Sequence, residues 1–472
     1  MAAKHNGLAN GSQTPLKASI FQTPSYPTNC LYFLQSRTNR AAAPANDALR
    51  LKIIVVGAGL GGLATAIALA QHGHSVTVYE QTPQLGEVGA GIQIPSNSTR
   101  LLVDLGLEPY LQDYVTEPRG IFFRRWENGQ VIGHTRLIPD FRQTYHAAYY
   151  VIHRADFHTA LYRRAIDLGV TVRLDSRVVD YDANRPSVTF QDGTSVSADL
   201  IVAADGVKSI ARRIVLEGND QPPRRTGFAA YRSTVEVDRL KRDPEIRSLL
   251  QEPALNIWIG DQRHVMTYTI GAGKTFNLVL SHPDDTDPSG WDQSRALEDM
   301  KAEFRGWDPT LTKIIAMVDK TLKWPLLSGT PLDRWVSGKL VILGDAAHAM
   351  VPYMSQGAAM AVEDGVALAH SLSKVRVREH IPTALSIFER VRQKRTTQMQ
   401  EASLLNGQLW HFADGPLQQV RDRAMMPEVE GRLFSHSPNQ WSDPTTQVWC
   451  YGYDARGEFD RAWMGQKRKS SL

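Results

Sequence analysis

An apolar run, Ile53 to Val56, ends abruptly in Gly57-Ala58-Gly59-Leu60-Gly61-Gly62. This is the most constraining feature of the chain. A continuous apolar run stopped by glycine reads as a buried parallel strand. The alanine-rich stretch Leu60 to His72 reads as a helix, and Ser75 to Glu80 reads as a second strand. Together they predict a βαβ unit with Gly57, Gly59 and Gly62 at the strand–helix turn, in the Gly-x-Gly-x-x-Gly pattern of dinucleotide binding. The first glycine permits the tight turn. The second lets the backbone approach a pyrophosphate, and the third lets helix and strand pack closely. Glu80, at the end of the second strand, is placed to accept hydrogen bonds from an adenosine ribose.

A second segment, Leu343-Gly344-Asp345-Ala346-Ala347-His348, lies most of the chain away. It follows the apolar run Lys339 to Leu343, which also reads as a strand. A carboxylate at Asp345 suits the hydroxyls of a flexible polyol, which FAD has and a nicotinamide dinucleotide lacks. Gly357 and Ala358 open a helical pattern that reaches about Ser373. The positive end of that helix suits the flavin edge that becomes anionic on reduction. The glycine loop alone leaves NAD and FAD open; Asp345 and Gly357 favour FAD.

The 472 residues exceed one ordinary core, and 42% hydrophobic with 22% charged residues is normal for a globular protein. A net charge of +4 without a basic, aromatic-interleaved stripe gives no sign of a nucleic-acid partner. Two cysteines, Cys30 and Cys450, exclude a disulfide framework and fit a reducing compartment, so a cytoplasmic location is expected. No apolar run is long enough for a membrane anchor. No metal-ligand cluster is expected. Residues 1–48 read as a disordered extension. They are acid-poor, as organelle-targeting segments are, but Pro15, Pro24 and Pro27 interrupt any amphipathic helix.

Residues 226–281 change character. Thr226 to Val237, Asn256 to Ile259, His264 to Ile270 and Thr275 to Leu280 alternate and carry β-branched and aromatic residues. They read as antiparallel strands covered by helical segments near 293–305 and 308–318. The expected fold is α/β: a Rossmann-like FAD-binding domain, an inserted antiparallel-sheet substrate domain and a helical C-terminal region. The expected boundaries are 49–225 and 335–405 for the discontinuous FAD-binding domain, 226–334 for the substrate-binding sheet domain and 406–472 for the C-terminal region.

These and further motifs resemble the single-component FAD-dependent aromatic monooxygenases, the salicylate-hydroxylase-like members and their fungal biosynthetic relatives in particular. The further motifs are Gly89-Ala90-Gly91-Ile92, His153-Arg154-Ala155-Asp156, Asp205-Gly206 followed by Arg212, Glu363-Asp364, Arg392 with Arg395, and Trp449-Cys450-Tyr451-Gly452-Tyr453-Asp454. The resemblance implies that Arg154 contacts FAD and that Ala90 and Gly91 lie beside the flavin. It also implies that Asp205 serves FAD and NAD(P)H handling. The implied reaction takes hydride from NADPH or NADH and forms a flavin C4a-hydroperoxide from O2. It then hydroxylates or epoxidises an aromatic or polycyclic small molecule in secondary metabolism.

Arg232 and Tyr268 are the candidate catalytic residues. A guanidinium suits a phenolate or carboxylate, and a phenol can donate to the same oxygen. Tyr231, next to Arg232, is expected to point to the other face of its strand. Some members of the family carry a histidine where Gly227 stands here, so simple salicylate chemistry is not the expectation. A flavin-dependent halogenase is the alternative, but its Trp-x-Trp-x-Ile-Pro segment is missing from the sequence.

Overall fold

The structure is a computed structural model that describes residues 49–86 and 90–470, the last four by their backbone alone. The expectations for residues 1–48, Cys30 and Gly89 lie outside the described residues.

Strand Lys52–Val56 is central in a six-stranded sheet. Its neighbours are Leu200–Ala203 on one side and Ser75–Tyr79 on the other, both parallel. Leu340–Ile342 and then Val336–Ser337 extend one edge, and Thr171–Arg173 closes the other. Only the Val336–Ser337 edge is antiparallel within this sheet. Ile53, Ile54 and Val55 are wholly buried, as a strand covered on both faces requires. The register puts Val56 beside Tyr79 and Ala203, and Ala203 beside Ile342. Four strands therefore end at one level, where Gly57, Glu80, Asp205 and Gly344-Asp345 follow them.

Helices Leu60–Gln71 and Gly357–Ser373 pack against each other through small residues. A Cβ on Gly365 would lie 2.7 Å from Cα of Thr65, and one on Gly61 would lie 2.9 Å from Cβ of Ala361. Larger residues would separate the helices. The glycines thus bring the start of the second helix next to the glycine loop.

A seven-stranded sheet forms the other layer. Its order is Leu322–Ser328, Arg224–Glu236, Thr275–Pro283, Arg263–Ile270, Leu255–Gly260, Gly120–Arg125, Val131–Arg136. This departs from the expected block in two ways. Two strands come from residues 120–136, outside 226–334, and the junction of Leu255–Gly260 with Gly120–Arg125 is parallel. Alternation in a strand reveals which face is buried, but not which strand lies alongside it.

The two faces of this sheet have different covers. Tyr231, Trp258, Phe276 and Leu278 pack under helices Ala296–Glu303 and Pro309–Ala316, through Met300, Leu311 and Ile314. Ala230, Ile257, Met266 and Tyr268 face inward, towards Tyr353, Met360 and Trp410. Helix Ile381–Trp410 runs unbroken through the boundary expected at 405–406. Helices Pro416–Val429 and Pro444–Tyr451 follow it, so the C-terminal region is helical as expected.

Candidate active site

At the shared strand edge, Gly57 has φ +100°, and a Cβ there would lie 2.3 Å from the carbonyl oxygen of Ala204. A Cβ on Gly62 would lie 2.0 Å from the carbonyl oxygen of Gly57. Both glycines are needed for the protein's own packing. Gly59 is different, because a Cβ there would meet nothing within 4 Å beyond its own chain neighbours. It caps the N-terminus of helix Leu60–Gln71, with open space beside it. Glu80 is tied to the same loop. Its Oε2 accepts the Ala58 N–H at 2.8 Å and its Oε1 accepts the Thr82 N–H at 3.0 Å. Sequence reasoning missed His158, whose Nε2 meets the Ala58 carbonyl oxygen at 2.7 Å and supports the loop from below.

The two aspartates differ. Asp205 Oδ2 accepts the Tyr181 hydroxyl at 3.0 Å and the N–H groups of Ile210 and Ala211 at 3.0 and 3.2 Å. Its Oδ1 is buried and has no partner among the described residues. Asp345 instead stands exposed at the strand edge. Its turn is held from beneath by a buried ion cluster. Asp364 accepts the Gly344 N–H at 3.1 Å, meets His348 Nε2 at 2.6 Å, and takes Arg392 Nε at 2.7 Å. Burial raises the Asp364 pKa, but His348 and Arg392 outweigh it and hold the carboxyl at about 2. Arg392 also bonds Glu363 at 2.8 Å. Arg395 reaches Glu363 at 3.3 Å and donates to the carbonyl oxygens of Trp449 and Cys450. Its guanidinium lies 4.2 Å from the centre of the Tyr453 ring. The conspicuous C-terminal motif is thereby fastened to the helix that Gly357 begins.

A second group of candidates meets between the sheets. Strand Gly91–Ile94 pairs with Tyr150–His153, and the Arg154 N–H donates to the Ala90 carbonyl oxygen at 3.0 Å. Arg154 therefore starts its helix beside Ala90 and Gly91. A Cβ on Gly91 would lie 2.5 Å from Cε2 of Tyr268, so the Tyr268 ring lies directly on this backbone. Arg232 pairs across from Val279, which pairs across from Met266, so it shares the face of Met266 and Tyr268. Burial raises the Tyr268 pKa, against opposing effects from Arg232 and Gln93. Tyr231 is on the other face, stacked on His282 with ring centres 4.7 Å apart. The alternation expected for this pair holds.

A bulge separates Arg225 from Ala229 in that strand, and Gly227 has φ +79°. That conformation favours glycine over the histidine some members carry there. His264, on the same strand as Tyr268, meets His411, with Nδ1 and Nε2 2.8 Å apart. Burial pushes His264 well below its usual value and His411 down to about 3, so the pair is neutral at ordinary pH.

A model of the FAD binding domain family matches residues 50–403. The chain belongs to this family. FAD-dependent monooxygenase OpS4 of Beauveria bassiana is 35% identical over 423 residues, covering 88% of this chain and 98% of that protein. The 6-hydroxynicotinate 3-monooxygenase of Pseudomonas fluorescens is 35% identical, over 75% of this chain and 90% of its own length. A substrate complex of salicylate hydroxylase matches with a TM-score of 0.71 and 25% identity, over 88% and 98% of the two chains. This chain is an FAD-dependent monooxygenase, and these relatives do not favour the halogenase alternative.

The residues present fit FAD. The space at Gly59 and the exposed carboxylate of Asp345 lie at one strand edge, and Ala361, one turn into the seventeen-residue helix that Gly357-Ala358 begin, packs against Gly61 and Gly344 there. Gly357 is similarly open: beyond its own helix, a Cβ there would meet only Met350 Cγ, at 3.9 Å. Among the described residues, no helix is long and apolar enough to cross a membrane.

Proposed function

We propose that this FAD-dependent monooxygenase uses NADH or NADPH and O2 to hydroxylate or epoxidise an aromatic or polycyclic small molecule of secondary metabolism. The contact of Gly91 with Tyr268 carries the reading, because it joins the strand beside the cofactor edge to the sheet bearing Arg232. Residues 49–225, apart from the strands of 120–136, and 335–405 serve FAD, while 226–334, completed by those strands, form the substrate sheet.

Gly57 and Gly62 shape the loop, and Gly59 lets the pyrophosphate approach the helix N-terminus. Glu80 takes the adenosine ribose and Asp345 the ribityl hydroxyls. Arg154 contacts the phosphate–ribityl stretch, and Asp205 orders the neighbouring turn. Ala90 and Gly91 would border the flavin, and the helix N-terminus at Gly357 and Ala358 would stabilise negative charge on it when reduced. Bound FAD supplies hydride acceptance and oxygen transfer. Arg232 attracts a phenolate or carboxylate oxygen and Tyr268 donates to it, which orients the ring. The buried apolar lining excludes water and strengthens both interactions.

Screening aromatic compounds for stimulated NAD(P)H oxidation, with mass detection of a one-oxygen gain, tests this function. Purified protein should be yellow. A colourless preparation that cannot be reconstituted with FAD would sink the reading. Arg232→Ala should retain FAD and lose substrate-stimulated oxidation; unchanged turnover would remove Arg232 from the site.

A further inference from the structure

Asn277 was not singled out from the sequence. It lies in strand Thr275–Pro283, directly across from Tyr268 in the adjacent strand and from Thr234 on the other side. Its neighbours Phe276 and Leu278 pack under the covering helices, so Asn277 shares the inward face with Tyr268. It is wholly buried.

Its Oδ1 accepts the Gly91 N–H at 2.7 Å. A backbone N–H can only donate, so this bond decides which end of the amide is oxygen. The other end is therefore Nδ2, a donor. It has no partner among the described residues. The neighbouring amide, Gln93, differs: its Oε1 accepts the Tyr149 hydroxyl and its Nε2 meets Met266 Sδ. One amide is closed at both ends. The other keeps a fixed, dry and unmet donor, an arrangement that packing alone disfavours.

We propose that Asn277 Nδ2 is a third donor, beside the Arg232 guanidinium and the Tyr268 hydroxyl, to one anionic oxygen of the substrate. The substrate class is then ring compounds bearing a carboxylate or phenolate. This rests on the reading of Arg232 and Tyr268 as the substrate-oxygen site. A hydrogen bond to a desolvated anion is worth roughly 10- to 100-fold in affinity. Its geometry is set before the ligand arrives, because Gly91 already holds the amide in place.

N277D separates this role from packing. It keeps an acceptor for the Gly91 N–H and replaces the donor with a second acceptor. The holoenzyme is titrated with 4-hydroxybenzoate, and with 4-methoxybenzyl alcohol as a ring with neither a carboxylate nor an ionisable phenol, following the flavin absorption band. N277D should weaken 4-hydroxybenzoate binding roughly 10-fold or more and leave the alcohol nearly unchanged. N277A should show the same selectivity, and it keeps the test decisive if N277D does not fold. Equal loss for both ligands, or none, overturns the proposal in favour of packing alone. An intact flavin spectrum with no 4-hydroxybenzoate binding to the wild type overturns the anionic-oxygen class and leaves the FAD reading standing. Loss of the flavin itself would instead strike the functional reading.

Discussion

Gly91→Ala is the sharpest test of how the two layers meet. The new methyl would lie 2.5 Å from Cε2 of Tyr268, 2.8 Å from its hydroxyl and 2.8 Å from Cγ of Asn277. Carbon atoms in contact sit about 3.5 to 4.0 Å apart, so the ring must retreat by about 1 Å. It has little room, because Tyr268 is 2% exposed and Asn277 is fully buried, each on an interior strand of the sheet. Overpacking of this kind costs about 1–3 kcal/mol. Activity should fall further than stability suggests, because displacement of a positioning group by about 1 Å can cost on the order of 100-fold in rate. Urea unfolding reads the first effect and substrate-stimulated NAD(P)H oxidation the second, with FAD content as the control. Combining the change with Tyr268→Ala vacates the contested space, so the two stability losses should fail to add by about 1 kcal/mol or more. A variant within about 0.5 kcal/mol of wild type with full turnover, or additive losses, would refute the contact.

Three further outcomes are expected. Asp345→Ala should release FAD with little change in stability, since the residue is exposed; full retention in a dialysis assay would show that Asp345 does not hold it. Arg392→Met leaves Glu363 and Asp364 buried without that cation, so urea unfolding should reveal a loss of about 3–5 kcal/mol. The Asp364 carboxyl titrates near 2 when folded against an ordinary 3.8. Because the folded value is depressed, its contribution is complete above about pH 4 and disappears as the pH falls towards 2. That contribution is about 2 kcal/mol, and urea midpoints that stay flat over this window would count against it.

The cofactor side was largely legible in the chain, because each signal there is local. Ile53 to Val56 followed by glycine, Asp345 after its strand and Gly357 opening its helix are patterns within a few residues. The substrate side depends on register. Alternation marked Arg232 and Tyr231 as facing apart, but neither marked the strands of 120–136 as partners nor placed Asn277 on Gly91, 186 residues away in the chain. Glu363, Asp364, Arg392 and Arg395 were visible as a family motif; their joint burial was not.

The sequence by itself thus determined a βαβ nucleotide unit, a second strand-end carboxylate and a sheet of alternating strands, because periodicity and glycine placement act through neighbouring residues. The tertiary structure decided which strand ends share an edge, why Gly91 has no side chain and which end of the Asn277 amide is left open. Those depend on backbone approaches and hydrogen bonds between residues distant in the chain, which local patterns do not encode.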